Sequence, residues 1–507
     1  MSPIRKNILA NYLGSCWNTL MSVIFIPVYI KFMGIESYGI VGVFGSLLAL
    51  FSVLDFGLGA TMTREMARLS VTDASGRQAR VLARTLETIY WTVALCLGAA
   101  VVLLAGPIAN HWVKPGQLSP HEVKQALMIA GAVVALRWPV SFYAGGLRGL
   151  DQQPILNLIQ SVIATVRGVG AVVVLWAIAP TIQAFFTWQI VVSGLEVSGL
   201  AGALWRWLPG SGFFATFSFD HLKQVWRFSA GMTAIGLVTL LLTQTDKIIL
   251  SKMLTLEQFG YYSLAWTVSA IILRLIDPIN AAVYPTLTRL VAQRDESRLI
   301  EVYHKSCQTE VVLLVPAALT LALFSDVVLT VWSSDAQLAS NTGPVLSILV
   351  IGTCLNGFMH VPYLAQLAHG WTSLAFGQNL VSVVVLVPLM VVFTHYFQGI
   401  GAAWVWVMLN SGYVLIAVHI MHRHILKSAK WDWYRNDIAA PTVAALAVVL
   451  IAKVMVPAGW PVLLLTGYVL VTAVLACLAA ILVTEFPRAK VLAGYRLLQE
   501  RAATKTW

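Results

Sequence analysis

The stretch that decides the fold class is Pro461–Thr484, which reads PVLLLTGYVLVTAVLACLAAILVT and carries no charged residue. A helix rises about 1.5 Å per residue, so a run of this length crosses the roughly 30 Å of hydrocarbon in a bilayer. The run Val311–Thr330 is nearly as apolar. A membrane β-barrel would instead alternate apolar and polar residues over short segments. Both runs therefore predict membrane-spanning helices.

The composition of the whole chain agrees with these runs. Of 507 residues, 58% are hydrophobic and only 11% are charged. Soluble domains contain about 25% charged residues, so no soluble core could bury this much apolar surface. The composition excludes a soluble enzyme, a disordered protein and a fibrous protein. It predicts an all-α polytopic membrane protein.

Hydropathy along the chain predicts about 14 transmembrane helices, joined mostly by short loops. Four prolines inside these spans, Pro139, Pro316, Pro362 and Pro388, predict helix kinks. The predicted spans are 8–32, 38–61, 86–109, 123–146, 155–178, 181–204, 229–252, 259–284, 307–331, 343–368, 373–395, 399–420, 438–456 and 461–484.

The basic residues predict the orientation of the spans. With the N-terminus in the cytoplasm, the cytoplasmic segments hold twenty-four of the 33 lysines and arginines, and the opposite side holds five. Cytoplasmic loops of membrane proteins carry such an excess. An even number of spans then places the C-terminus in the cytoplasm as well. The net charge of +11 is explained by topology, and we expect no nucleic-acid partner.

An internal repeat divides the chain. Lys31–Gly39, KFMGIESYG, aligns with Lys252–Gly260, KMLTLEQFG, and Arg68-Leu69 aligns with Arg289-Leu290 at the same offset. The repeat unit holds six spans, so the two copies are parallel, and transporters of this kind bind substrate between their halves. The predicted domains are an N-lobe 1–206, a cytoplasmic amphipathic linker 207–228, a C-lobe 229–420, a loop with two appended spans 421–484, and a cytoplasmic tail 485–507.

Other classes of membrane protein lack support in the sequence. There is no filter loop or charged ring of a channel, no His-Glu-x-x-His or Gly-x-Ser-x-Gly motif, and no Walker motif. We therefore predict that the protein is not an enzyme and needs no cofactor or metal. The histidines at the end of span 12, His419, His422 and His424, are interpreted as a solvated face.

Several motifs carry a family resemblance. They are Pro27–Lys31 (PVYIK), Gly34–Gly39 (GIESYG), Leu54–Gly59 (LDFGLG), Thr245–Leu250 (TDKIIL) and Gly260–Ala265 (GYYSLA). The chain resembles Wzx-type polysaccharide and O-antigen flippases of the polysaccharide transport family, within the MOP (MATE-like) superfamily. The resemblance covers the twelve-span core and implies two parallel six-helix lobes followed by a C-terminal helix pair.

The resemblance also implies a function. Such a flippase moves an undecaprenyl-pyrophosphate-linked oligosaccharide from the cytoplasmic to the periplasmic leaflet of a bacterial inner membrane, by alternating access, for cell-surface polysaccharide assembly. Its expected partners are that glycan, membrane lipids, and polysaccharide polymerase and chain-length machinery, with a proton or sodium gradient as the candidate driving force. Two alternatives stay open: a cation-coupled multidrug or small-solute exporter of the same superfamily, and a membrane glycan polymerase or ligase.

Charged residues inside the spans are the candidate site, because a charge at mid-membrane is costly. Arginine and lysine suit the phosphate oxygens of a pyrophosphate. The predicted substrate-binding residues are Arg137, Arg167, Lys247 and Arg274. The predicted counter-ions or coupling groups are Glu196, Asp246, Asp55 and Asp277.

A structural interpretation of the same charges is also open. In it, internal ion pairs fix helix packing without contact to substrate. The expected pairs are Arg137 with Glu196, Arg274 with Asp277, and Asp246 with a neighbouring base.

Overall fold

The computed structural model describes residues 3–53, 55, 57–73, 75–210, 218, 244–456 and 459–489. Most of the predicted linker 207–228, the first part of predicted span 7 and the tail from 490 lie outside the described residues. Within the described residues there is no strand, only an isolated bridge between Lys114 and Thr255. Because nearly every other described segment is helical, the prediction of an all-α polytopic protein is confirmed.

The chain divides into two compact units, residues 1–260 and 261–507. In the first unit the helices are α1 Pro3–Ile24, α2 Ile26–Val53, α3 Leu58–Thr72, α4 Arg77–Pro107, α5 Pro120–Arg137, α6 Val140–Gly149, α7 Gln153–Ala177, α8 Ile182–Trp207, α9 at 244–253, and the start of α10 Leu256–Ala270. A single π-helical turn, Ile108–Trp112, continues α4.

In the second unit the helices are α11 Asp277–Gln293, α12 Glu296–Leu323, α13 Ser325–Ser333, α14 Ala336–Phe358, α15 His360–Ala368, α16 Thr372–Gly412, α17 Val418–His424, α18 Ala440–Val454 and α19 Val462–Val483. A 3₁₀ segment, Ile271–Leu275, joins α10 to α11 across a bend of 47°.

Ten helical stretches among the described residues are long and apolar enough to cross a membrane, or eleven with the bent pair of α10 and α11. One of them, Phe376–His424, has 49 residues. At about 1.5 Å per residue it is too long for one crossing, and Gln398 breaks it with a φ of 54°. This break lies where the sequence predicts the boundary between spans 11 and 12. Because the 49-residue stretch covers two predicted spans, the stretches correspond to twelve of the 14 predicted spans. The other two are predicted span 1 and predicted span 7, whose first part lies outside the described residues.

Local boundaries differ from the predictions where backbone breaks intervene. Gly34, at φ 80°, interrupts α2 and marks the predicted boundary between spans 1 and 2. The predicted kinks are found at Pro139, between α5 and α6, and beside Pro362, between α14 and α15. Pro316 and Pro388 lie inside α12 and α16 without a break in the helix at their positions, and their kinks stay predictions.

The internal repeat is visible as a reciprocal contact in the first unit. A Cβ added to Gly39 would overlap the carbonyl oxygen of Leu256, and one added to Gly260 would overlap the carbonyl oxygen of Ile35. Gly39 is the repeat equivalent of Gly260, and Ile35 is the repeat equivalent of Leu256. The two copies of the motif therefore cross with equivalent contacts, which is the local pattern of a pseudo-two-fold relation.

Large apolar side chains lie on the surface of both units. Leu103 is 78% exposed, Trp176 76%, Val454 86% and Leu463 82%. Water-soluble monomers rarely expose extended apolar patches. These outward-facing side chains fit hydrocarbon as the surrounding solvent, as expected for spanning helices.

Candidate functional site

Two of the predicted charges, Arg167 and Glu196, form an ion pair between α7 and α8. Arg167 Nη2 donates to Glu196 Oε2 at 2.6 Å, and Arg167 Nη1 donates to Gln189 Oε1 at 2.6 Å. The side chain of Arg167 is 19% exposed and that of Glu196 is 10% exposed. Both ends of the guanidinium are therefore held inside the first unit. Such a pair is stable in low dielectric only when hydrogen bonds satisfy it, as they do here.

The polar partners of Arg167 share one face of α8. Gln189, Ser193 and Glu196 are spaced by four and three residues, which is the spacing of one helix face. Ser193 lies 3.4 Å from Arg167 Nη1. Gln189 and Ser193 were not among the sequence-predicted residues. A polar stripe at helical spacing in an otherwise apolar span is the signal that could have found them.

Arg137 ends α5 and is half-buried. Its positive charge acts on Arg167 through space. Within the described parts of the chain it makes no ion pair, since Glu196 is taken by Arg167. The expected pair Arg137–Glu196 is therefore wrong: α5 and α7 both pack against α8, and the carboxylate of Glu196 lies against Arg167 of α7. The role of Arg137 in substrate binding stays a prediction.

The third predicted base of the first unit lies on α9. Lys247 follows Asp246 directly, and the positions of both are described, with Asp246 buried. The negative charge of Asp246 acts on Lys247, as the structural interpretation expects for this acid and a neighbouring base. Their roles in substrate binding and coupling stay predictions.

Arg274 and Asp277 lie at the bend between α10 and α11. Arg274 Nη1 is 3.1 Å from Asp277 Oδ2, which confirms the expected pair three residues apart. Their side chains are 64% and 50% exposed. The pair thus occupies an open surface of the second unit at a break in a span, where the helix direction changes.

Asp55, between α2 and α3, is held by hydrogen bonds inside the first unit. It accepts from the hydroxyl of Tyr90, from the backbone N–H of Gly59 at 3.2 Å and from the hydroxyl of Ser141 at 3.3 Å. These contacts tie the α2–α3 junction to α4 and α6. Their geometry fits a structural role for Asp55, and its predicted role as a coupling or counter-ion group stays a prediction.

The second unit contains a buried polar cluster that the sequence did not predict. His304 Nδ1 on α12 pairs with Asp437 Oδ2, and Gln308 Nε2 donates to Asp437 Oδ1 at 2.9 Å. Gln308 also accepts from the backbone N–H of Phe486 at 3.0 Å. The cluster joins α12 to the segment before α18 and to the segment after α19. Its members are far apart in sequence, so no local pattern reveals it.

The second unit contains two further buried ionisable groups, Glu310 and His422. Glu310 on α12 is 3% exposed, and its Oε1 has no hydrogen-bond partner among the described residues. His422 is 1% exposed and lies 3.2 Å from the hydroxyl of Tyr303. The prediction of a solvated face is therefore wrong for His422, because α17 turns this histidine inward against α12.

The sequence matches a known family model over much of its length. The model is described as "Polysaccharide biosynthesis protein" and matches residues 4–291, which is more than half of the chain. The chain belongs to this family. The matched region includes all eight of the predicted site residues, from Asp55 to Asp277.

Two relatives extend the match within the family. The chain is 21% identical over 407 residues to a protein of Shigella flexneri named "Putative O-antigen transporter", covering 80% of this chain and 94% of that relative. It is 22% identical over 421 residues to the "Uncharacterized membrane protein EpsK" of Bacillus subtilis, covering 81% of this chain and 76% of that one.

Solved structures share the fold. The family member described here superposes on the lipid II flippase MurJ in an inward closed conformation with a TM-score of 0.69, at 13% identity, over 94% of this chain and 97% of MurJ. An inward-facing MATE multidrug resistance transporter of the MOP superfamily gives a TM-score of 0.62 at 14% identity, over 82% and 95%. The fold is therefore that of MOP-superfamily transporters, and the family is one of polysaccharide biosynthesis.

Proposed function

We propose that the protein is a flippase that moves an undecaprenyl-pyrophosphate-linked oligosaccharide from the cytoplasmic to the periplasmic leaflet of a bacterial inner membrane. The family assignment supports a role in polysaccharide biosynthesis. The relative named as a putative O-antigen transporter, of which the match covers 94%, supports a lipid-linked glycan as the substrate. In this proposal the protein acts by alternating access of the lobes 1–206 and 229–420 and catalyses no covalent step.

The observation that carries the proposal is the cationic end of α5. Arg137 is half-buried within a span and has no ion pair among the described residues, while the neighbouring Arg167 is fixed by Glu196 and Gln189. A planar guanidinium can donate two parallel hydrogen bonds to phosphate oxygens. Arg137 then contacts the pyrophosphate directly. Arg167 is held in a fixed position by its pair with Glu196, and Arg137 supplies the positive charge that is not paired with a described residue when the site is empty.

The other charged residues complete the proposed pathway. Lys247 and Arg274 provide further positive charge for the pyrophosphate along its route. Glu196, Asp246, Asp55 and Asp277 serve as counter-ions or as carriers of the coupling proton or sodium ion. The excess of basic residues in the predicted cytoplasmic segments supports cytoplasmic termini. A polymerase and chain-length machinery would receive the glycan at the periplasmic leaflet, after its translocation.

The proposal is tested by single substitutions in a strain that lacks the gene. Arg137→Ala should lower surface glycan at least about tenfold, because a charge-assisted hydrogen bond to a buried anion is lost. Arg137→Lys should keep part of the activity, since the charge remains. Arg206→Ala is the matched control, because Arg206 is an exposed arginine at the end of α8. Protein abundance in the membrane is measured for each variant.

A reconstituted assay separates the proposal from its rivals. Purified protein in proteoliposomes should translocate a fluorescent undecaprenyl-pyrophosphate oligosaccharide, and Arg137→Ala should slow this step. The proposed pyrophosphate site is wrong if full surface glycan is made, at normal protein abundance, by the alanine variants of Arg137, Arg167, Lys247 and Arg274. Export of a cationic dye without glycan translocation would favour the multidrug exporter instead.

A further inference from the structure

A cavity of about 550 Å³ lies inside the first unit, at one end of its spans. Three helical segments line it: α2 between Val43 and Leu50, the end of α4 with its π turn between Leu104 and Trp112, and α9 between Ile248 and Lys252. None of the predicted charged site residues lines it. The volume is within the range of about 300–1,000 Å³ that is usual for small-molecule sites.

The walls of the cavity are apolar faces of helices. On α2 the lining positions recur every three or four residues, and on the α4 segment they do the same from Leu104 to Trp112. Each helix thus turns one continuous stripe toward the space. Leu104 is 52% exposed. An apolar chain of a lipid fits such walls, because its transfer from hydrocarbon to cavity removes no hydrogen bond.

Apart from Ser46 on α2, the polar side chains that line the cavity lie where α4 and α9 end. Lys252 Nζ lies 5.0 Å from the centre of the Trp112 ring, and Trp112 Nε1 donates to Ser251 Oγ at 3.0 Å. His111 adds a second ionisable base. No acidic residue is among those that line the cavity. The polar end is therefore suited to a negative group.

The π turn places these groups at the polar end. It follows Pro107 directly and contains both His111 and Trp112. Single π turns within helices recur at functional sites, because they shift the side chains that follow them around the helix. Tryptophan and lysine are also the residues that sit at the membrane–water boundary, with the lysine stem along apolar surface and its charge at the headgroups.

We propose that this cavity binds an anionic phospholipid of the surrounding bilayer, with one acyl chain between the three helices and the phosphate at Lys252 and His111. The apolar walls recognise the chain, and the basic end without an acid recognises the negative headgroup. Basic pockets between membrane helices bind anionic headgroups in the same manner. This site goes beyond the proposed flippase activity and does not depend on the substrate of that activity.

The test is native mass spectrometry of the purified, delipidated full-length protein titrated with phosphatidylglycerol. One lipid should bind with preference over phosphatidylcholine and diacylglycerol. Lys252→Ala should weaken phosphatidylglycerol binding about fivefold, the effect of one lysine near an anionic headgroup. Leu50→Trp should abolish it by filling the cavity. Lys31→Ala is the matched control, because Lys31 is the exposed repeat equivalent of Lys252 and does not line the cavity.

Other outcomes would overturn the proposal. If Lys252→Ala and Lys31→Ala bind phosphatidylglycerol equally well, Lys252 does not contact the headgroup. If diacylglycerol binds as well as phosphatidylglycerol, the phosphate is not recognised. Displacement by inorganic phosphate would indicate an anion site without a lipid chain. Displacement by equimolar undecaprenyl phosphate would assign the cavity to the carrier lipid. Thermal unfolding of each variant identifies a loss of binding that comes from misfolding.

Discussion

Two of the arginine–carboxylate pairs among the described residues have surroundings that differ sharply. Arg167 and Glu196 are 2.6 Å apart on neighbouring helices, with side chains 19% and 10% exposed. Arg274 and Asp277 are 3.1 Å apart on adjoining helical segments, with side chains 64% and 50% exposed. The first pair is buried and joins two helices, whereas the second lies open at a bend.

The difference shows that an ion pair stabilises helix packing only where it is buried, because solvent cannot take the place of a lost partner there. Removal of one partner from a buried pair leaves a charge without compensation in low dielectric, which costs about 3–5 kcal/mol. An exposed pair contributes about 0–1 kcal/mol, because solvent or lipid headgroups take the place of the partner. Substitutions at Glu196, Asp437 and Arg274 test this contrast between buried and exposed pairs.

The largest effect is expected at Glu196. Glu196→Ala should lower the free energy of unfolding by about 3–5 kcal/mol, because Arg167 keeps its charge inside the unit without a carboxylate. Thermal unfolding in detergent, followed by loss of the monodisperse peak, measures the change. The double variant Arg167→Met/Glu196→Met is the control and should recover most of the stability. A Glu196→Ala protein as stable as the parent would show that water compensates Arg167.

An intermediate effect is expected at Asp437, the acid of the buried cluster in the second unit. Asp437→Ala removes the partner of His304 and of Gln308, and should lower the free energy of unfolding by about 1–3 kcal/mol. The same unfolding assay applies. Asp432→Ala is the matched control, because Asp432 lies five residues earlier and is exposed. If both variants unfold alike, the cluster does not hold α12 to the C-terminal hairpin.

The smallest effect is expected at the exposed pair. Arg274→Ala should change the free energy of unfolding by less than about 1 kcal/mol. In added salt, the difference in the free energy of unfolding between Arg274→Ala and the parent protein should be near zero. A large destabilisation would mean that Arg274 is buried in the membrane environment, and the contrast between the two pairs would fail. Loss of transport without loss of stability would instead support the proposed role of Arg274 in the pathway.

The contrast also explains which pairs the sequence could predict. Arg274 and Asp277 are three residues apart, so the geometry of one helical turn brings them together whatever the tertiary structure. Glu196 has candidate partners on two helices that both pack against α8, and only the tertiary structure shows that its carboxylate meets Arg167 and not Arg137. The cluster of His304, Asp437 and Gln308 depends on contacts between segments more than a hundred residues apart, for which no spacing rule exists.

The fold class followed from simpler quantities. Runs such as Pro461–Thr484 are long and apolar enough that only a membrane helix satisfies their backbone hydrogen bonds. The ends of helices were harder to predict, because Gly34 and Gln398 break continuous apolar segments through backbone conformation and not through polarity. The predicted polar loop 62–85 is largely helical, as α3 and the first turns of α4, and Arg64, Arg68 and Arg77 occupy exposed faces of those helices.

The reciprocal crossing of the two motif copies has a consequence for how this sequence can evolve. Gly39 faces the main chain of Leu256, and Gly260 faces the main chain of Ile35, so each copy requires a missing side chain in the other. Substitution of a side chain does not remove a main-chain carbonyl oxygen. No substitution in one copy of the motif therefore relieves the overlap that a Cβ at the glycine of the other copy would cause. Duplication has therefore converted one steric requirement into two that must be kept separately, even where the rest of the repeat has diverged.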